Sequence, residues 1–245
     1  METQTHRQSF TGSQRRLAAT LTAVMVLPGC GVWQSLSVRD DDAASAAVRV
    51  AVRPAAWARS ERPGPGFELG YERHRAKDKR TLAAGESITV NNQVINGPDT
   101  LGQNATVQVA HLAYTHPFYF GSYFELEPFG GVANVKVRYR AEPAGSPLRP
   151  ELSTSRSSVI GGITPRVRLN EWVAVEARFS FIPLSDADVY GRSTELAAVL
   201  TPVPQLALRL GYAQRRYGTD FKNNTAWTEF DVRSSGPFAV LQFEF

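Results

Sequence analysis

The stretch Gly236-Pro237-Phe238-Ala239-Val240-Leu241-Gln242-Phe243-Glu244-Phe245 decides the fold. Ala239, Leu241, Phe243 and Phe245 fall on one face of an extended chain, and Gln242 and Glu244 fall on the other. A period of two marks a strand with one apolar and one polar face, because successive side chains of a strand point to opposite sides. An aromatic at the final position keeps the apolar parity to the end.

Working back from there, the same alternation recurs in segments of about ten residues separated by turn chemistry. Leu206, Leu208, Leu210 and Tyr212 oppose Arg209, and Val173, Val175, Ala177, Phe179 and Phe181 oppose Glu176 and Arg178. Val159, Gly161, Ile163, Val167 and Leu169 oppose Arg166 and Arg168. Phe129, Gly131, Ala133, Val135, Val137 and Tyr139 oppose Lys136 and Arg138, and Phe67, Leu69 and Tyr71 oppose Glu68 and Glu72. With two segments of less regular alternation, 105–115 and 189–201, eight strands are expected: 66–75, 105–115, 127–140, 156–169, 171–182, 189–201, 205–217 and 235–245.

The connectors alternate as well. Asn170-Glu171 and Pro202-Val203-Pro204 are tight, whereas 76–104, 141–155, 183–188 and 218–234 are longer and polar. Segment 116–126 breaks that rule, being long and aromatic. The expected fold class is all-β, an eight-stranded antiparallel up-and-down transmembrane β-barrel over 66–245. An even strand number with short turns on one side and long loops on the other is the pattern of bacterial barrels.

The bulk properties permit this. The chain has 245 residues, 42% of them hydrophobic, a mean hydropathy of −0.25, a net charge of +4 and a pI near 9.4. No apolar run reaches the roughly 18–20 residues of a spanning helix, but spanning strands alternate and so average to a soluble-looking value. Lysine occurs only at 77, 79, 136 and 222; arginine carries the rest of the positive charge, spread through the strands with no nucleic-acid motif.

The same alternation fits a soluble sandwich or lipocalin-like barrel with its apolar face inward. Two features favour the membrane alternative. The polar faces carry both signs of charge (Glu68, Glu72, Lys136, Arg138, Arg166, Arg168, Glu176, Arg178, Glu195, Arg209 and Glu244), as a closed lumen of ion pairs would. Aromatics also sit near strand ends, at Tyr71, Tyr139, Phe181, Tyr212 and Phe245.

Ahead of the strands, Arg7, Arg15 and Arg16 precede the apolar run Leu17–Leu27, which is too short to span a membrane and suits a signal peptide. Residues 30–65 hold Asp40-Asp41-Asp42, an Ala/Ser run, Pro54, Pro63 and Pro65, the composition of a flexible periplasmic tether. Within it Val48-Arg49-Val50-Ala51-Val52-Arg53 alternates, but Pro54 and its polar flanks argue against counting it with the sheet.

Leu27-Pro28-Gly29-Cys30 resembles a bacterial lipobox, with Pro28 departing from the favoured residue. The resemblance implies a signal peptide over 1–29 and an acylated Cys30, and Gly31 resembles the residue of lipoproteins sorted to the outer membrane. The alternative is an ordinary signal peptide with an incidental cysteine. Residues 66–245 resemble the small eight-stranded outer-membrane barrels of the outer-membrane protein A and W types, and Phe243 and Phe245 resemble their terminal assembly signal.

That resemblance implies a monomeric outer-membrane protein with both termini periplasmic, handled by the barrel-assembly machinery and bathed in outer-membrane lipids and lipopolysaccharide. Its lumen would be filled by side chains. No cofactor, metal or nucleic-acid partner is expected. His74, His111 and His116 form neither the His-x-Ser pair of lipid A deacylases nor a Gly-x-Ser-x-Gly elbow, and the latter two histidines lack a third metal ligand nearby. A non-enzymatic structural or surface-interaction role is therefore expected, with basic residues Arg75, Lys77, Lys79, Arg80, Arg215, Arg216 and Lys222 facing lipopolysaccharide phosphates. A lipid A-modifying enzyme and a narrow pore or carrier stand as alternatives.

Overall fold

A computed structural model describes residues 32–53, 64–183, 189–222 and 226–245. The expected signal peptide (1–29) and Cys30 lie outside them. Everything described is strand or connector, in the order β1 (Val32–Asp40), β2 (Ser45–Val52), β3 (Gly66–Leu82), β4 (Ser87–Val90), β5 (Gln93–Asn96), β6 (Asp99–Thr115), β7 (Phe118–Phe120), β8 (Phe124–Pro143), β9 (Glu151–Arg168), β10 (Val173–Ile182), β11 (Val189–Val203), β12 (Leu206–Lys222) and β13 (Ala226–Glu244).

Eight of these, β3, β6 and β8 to β13, pair antiparallel in sequence order, and each contains the core of one expected strand. They do not close on each other directly. β2 runs parallel to β13 from Phe238↔Ser45 to Glu244↔Ala51 and antiparallel to β3 from Ser45↔His74 to Val52↔Phe67, so the sheet closes into a ring through it. β1 continues the same line along the other half of β13, from Val32↔Ala226 to Asp40↔Ser234.

Residues 32–52, expected as tether, are thus the closing strand. The alternation Val48, Val50, Val52 against Arg49 and Ala51 does what it does in every other strand, and Pro54 falls just beyond its end. Ring closure also alters the placement of the chain ends. Val32 pairs beside Ala226, whereas the Arg53 N–H donates to the Phe245 carbonyl at 2.7 Å. Gly66 and Phe245 therefore lie at one end of the ring, as the even number of strands over 66–245 requires, whereas Val32 lies at the other end.

Around the ring the two faces exchange chemistry partway up. In the half nearer Phe245, outward residues are apolar (Phe67, Leu69, Tyr71 on β3; Val159, Ile163, Val167 on β9; Leu210 and Tyr212 on β12) and inward residues are charged. In the other half, Leu36, Val38, Ala105, Val107, Val135, Val137, Tyr139, Phe230 and Val232 point inward into one buried cluster. Their outward neighbours are polar: Arg73, Arg75 and Lys77 on β3, Asn104, Thr106 and Gln108 on β6, Lys136, Arg138 and Arg140 on β8. The border runs through matched positions, Tyr71↔Ala110 on the apolar side and Arg73↔Gln108 on the polar side.

The far end is filled by the β4–β5 hairpin, whose Ile88, Val90 and Ile95 join that apolar cluster. Gln34 on β1 ties it down: its side-chain amide donates to the Thr89 carbonyl and accepts from the Thr89 N–H at 3.1 Å. At the opposite end, the aromatic segment 116–126 forms the short strand β7, which turns back onto β8 through Phe120↔Phe124.

Candidate functional site

The interior of the charged half holds four ion-pair clusters stacked along the ring. Seven carboxylates (Glu68, Glu72, Glu125, Glu127, Glu176, Glu195, Glu244) face seven guanidinium groups (Arg49, Arg53, Arg166, Arg168, Arg178, Arg209, Arg215). The balance matters because a buried charge is tolerable only when paired and hydrogen-bonded.

The network is layered along the ring. Nearest the border, Glu195 bridges Arg49 at 3.0 Å and Arg215 at 3.0 Å, and Glu72 meets Arg49 at 3.3 Å and His74 at 3.4 Å. Below it, Glu68 accepts from Arg178 at 2.7 Å and pairs with His111 at 3.0 Å. The Arg178 guanidinium also lies 4.0 Å from the Phe129 ring centroid, which fills the lumen beside it. Next, Glu176 takes Arg209 at 2.7 Å and Arg166 at 2.8 Å, and Glu125 takes Arg168 at 2.9 Å. Arg53 closes the end against Glu127 at 2.7 Å.

Local structure sets these contacts. A side chain at Gly70 would put its Cβ 2.1 Å from His111 Cε1, so glycine there is what lets the imidazole reach Glu68. Arg49, Ala51 and Arg53 enter the lumen because β2 alternates in register with β3 and β13. Arg49 is fully buried.

Of the expected lumen residues, Glu68, Glu72, Arg166, Arg168, Glu176, Arg178, Glu195, Arg209 and Glu244 point inward. Lys136 and Arg138 do not: both are exposed on the outer wall, where Arg138 pairs with Glu151 at 3.0 Å. The reason is the exchange of faces. On β8 the residues Val135, Val137 and Tyr139 that looked like a lipid face lie in the buried cluster, and the outward apolar residues are Phe124, Leu126, Pro128 and Val132. Arg215, expected on the loop side, points inward, and Arg75, Lys77 and Lys79 point outward on the polar half of the wall.

Sequence reasoning missed Arg49, Arg53, Glu125 and Glu127, and also the placement of His74 and His111 within the network. The signal for Arg49 and Arg53 was the alternating run 48–53, and His74 lies two residues from Glu72. Glu125 and Glu127 lie odd numbers of residues from Lys136 and Arg138, so the parity expected on β8 pointed the wrong way, and no expected inward charge on β6 marked His111. His116 sits elsewhere, with Nδ1 3.1 Å from the Tyr114 hydroxyl and its ring 4.7 Å from that of Phe118.

The outer wall of the polar half carries a second ordered feature. Asp231 accepts from Arg216 Nε at 2.8 Å and from Arg233 Nε at 2.9 Å, and the Tyr190 hydroxyl donates to it at 3.3 Å. The Asp231 hydrogen bond holds the Arg216 guanidinium above its ordinary value, and burial with the adjacent carboxylate pushes the Tyr190 phenol up. Among the described residues no group of three or more His, Cys, Asp or Glu side chains is arranged to hold a metal ion. Compared with protein-family models, with curated proteins and with solved structures, the chain matches none of them.

Proposed function

We propose that this chain is an outer-membrane β-barrel of the Gram-negative envelope, with a plugged lumen and a non-enzymatic structural or surface-interaction role. The observation that carries the reading is the exchange of faces: one half of the ring buries its charges and exposes its apolar side chains. A water-soluble protein has no reason to expose Phe67, Leu69, Val132, Val159, Leu196 and Leu210 while turning fourteen charges inward, ten of them buried.

The dimensions suit a bilayer. The outward apolar runs reach from 159 to 169 on β9 and its end, 173 to 181 on β10 and 237 to 245 on β13. Tilted spanning strands need roughly 9–11 residues. Aromatics edge the band, with Tyr71, Phe181 and Tyr212 on one border and Phe67, Tyr114, Phe124, Trp172 and Phe245 on the other. A closed sheet leaves no unpaired edge in the hydrocarbon.

In this reading the tight turns and Phe245 face the periplasm, the polar half with its β4–β5 hairpin stands outside the cell, and the barrel-assembly machinery inserts the chain as a monomer. Export and acylation at Cys30 belong to the proposal on their motif alone. The test is migration on a gel with and without boiling, together with carbonate extraction of membranes. The protein should run faster unboiled and stay with the membrane; identical migration and release into carbonate would sink the reading. Planar-bilayer recording should show no steady conductance, because the ion pairs and Phe129 fill the lumen. Lipid A with altered mass in cells making the protein would instead favour an enzyme.

A further inference from the structure

Four arginines stand in one row across the outer wall. The register places Arg192 of β11 opposite Arg216 of β12, Arg216 opposite Arg233 of β13, and Arg233 opposite Arg39 of β1. All four point outward. Like charges directly opposite on neighbouring strands repel, so such a row is costly unless something anionic lies on it.

The protein supplies only part of the neutralisation. Asp231 serves Arg216 and Arg233, Asp41 pairs with Arg39 at 3.1 Å, and Arg192 has no carboxylate partner among the described residues. Tyr190, whose ring centroid is 5.7 Å from the Arg216 guanidinium, and Asp231 hold part of the row in place.

A row of hydrogen-bonding side chains lies beneath, with Thr194 opposite Gln214 and Gln214 opposite Ser235. These two rows line a groove of about 390 Å³. Below them the wall turns apolar at Leu196, Tyr212 and Pro237. Four residues separate Arg192 from Leu196, about 13 Å along a strand before tilt.

We propose that this row binds the phosphorylated headgroup of a membrane lipid whose acyl chains lie on the apolar wall below. Guanidinium forks match phosphate oxygens in pairs. At about 4.8 Å per strand the row spans roughly 14 Å, which suits a headgroup with more than one phosphate better than a single ion. The apolar wall directly beneath favours a lipid over free phosphate. The inference rests on the membrane reading above.

The test uses the full chain in detergent, with bisphosphorylated lipid A, its dephosphorylated form, and inorganic pyrophosphate as probes, and reads bound lipid by native mass spectrometry. Wild type should retain the bisphosphorylated lipid at least tenfold more strongly than the dephosphorylated one. Arg39→Gln/Arg192→Gln, which leaves the Asp231 pairs intact, should lower that retention roughly tenfold, about one charge-assisted contact. Arg192→Gln/Arg216→Gln/Arg233→Gln should abolish it. Lys136→Gln, on β8 across the ring between β6 and β9, should leave it unchanged.

Equal retention of the two lipids, no effect of the arginine changes, or an equal loss on changing Lys136 would overturn the site. Pyrophosphate bound as tightly as the lipid would overturn the lipid as its source. If the chain also fails the boiling and carbonate tests, the membrane reading falls with the site; if it passes them, only the site falls.

Discussion

Along β3 the wall points Glu68 and Glu72 inward and Phe67, Leu69 and Tyr71 outward; a few residues on, Ala76 and Leu82 point inward and Lys77 and Lys79 outward. The two halves are built from the same ladder, so the backbone does not distinguish them. In the membrane reading proposed above, the difference lies in what each half faces. A wall against water can use the ordinary arrangement, apolar inside and polar outside. A wall against hydrocarbon gains nothing by hiding apolar groups, and its charges are stable only in the interior, where they satisfy each other. The outside of the ring reports its surroundings, and the inside follows from the outside.

Substitutions can break that contrast. The largest loss should follow Glu68→Leu, which strands the buried Arg178 guanidinium without its carboxylate. About 5 kcal/mol should disappear from unfolding in lipid vesicles, and Glu68→Leu/Arg178→Leu should recover most of it. A single-mutant loss under about 1 kcal/mol would mean the network is wetter than its geometry indicates.

In the apolar interior, Phe230→Ala should cost about 4 kcal/mol by leaving a cavity beside Tyr139 and Phe221, whose rings lie 5.1 and 5.8 Å away. That loss should be the same in detergent and in bilayers. On the outside, Leu69→Arg should cost about 2–4 kcal/mol in a bilayer, although Leu69 is 58% exposed and would tolerate the change in water. Lys77→Leu, on the same strand, should stay within about 0.5 kcal/mol. Similar values for these two would erase the contrast.

The smallest effect concerns the hairpin. The Ala83 N–H and the Arg80 guanidinium hold the Glu86 carboxyl below its ordinary value of 4.5. Because the folded value is the lower one, this anchorage is complete above pH 4.5 and is lost as pH falls through the folded value. Hydrogen exchange at Ala83 should accelerate over that window in wild type and not in Glu86→Gln.

The same contrast explains what could be read from the chain. The C-terminal strands were legible because their alternation keeps one phase up to Phe245. On β8 the phase of the apolar residues flips between Val132 and Val135, and a reading that assigns one apolar face per strand places Lys136 and Arg138 on the wrong side. The same flip hid the far ends of β3, β6 and β12, where polar residues facing water look like loops.

The closing strand was illegible for another reason. Its alternation is short, and its partner on one side lies far along the chain, with Gln34 and Thr228 194 positions apart. Nothing local announces such a pairing. The guanidinium row likewise becomes visible only when four strands are set in register.

The closing strand also fixes an order of events. Residues 32–52 come first in the order of the described strands, yet their parallel partner β13 comes last. Until it arrives, one edge of β2 and the free edge of β12 stay open to pairing with any other extended chain. Contacts of such sequence separation form slowly, and parallel pairing is slightly weaker per residue than antiparallel. The line between β13 and β1–β2 is therefore where the ring zips shut last and where, under denaturant, it should first come apart.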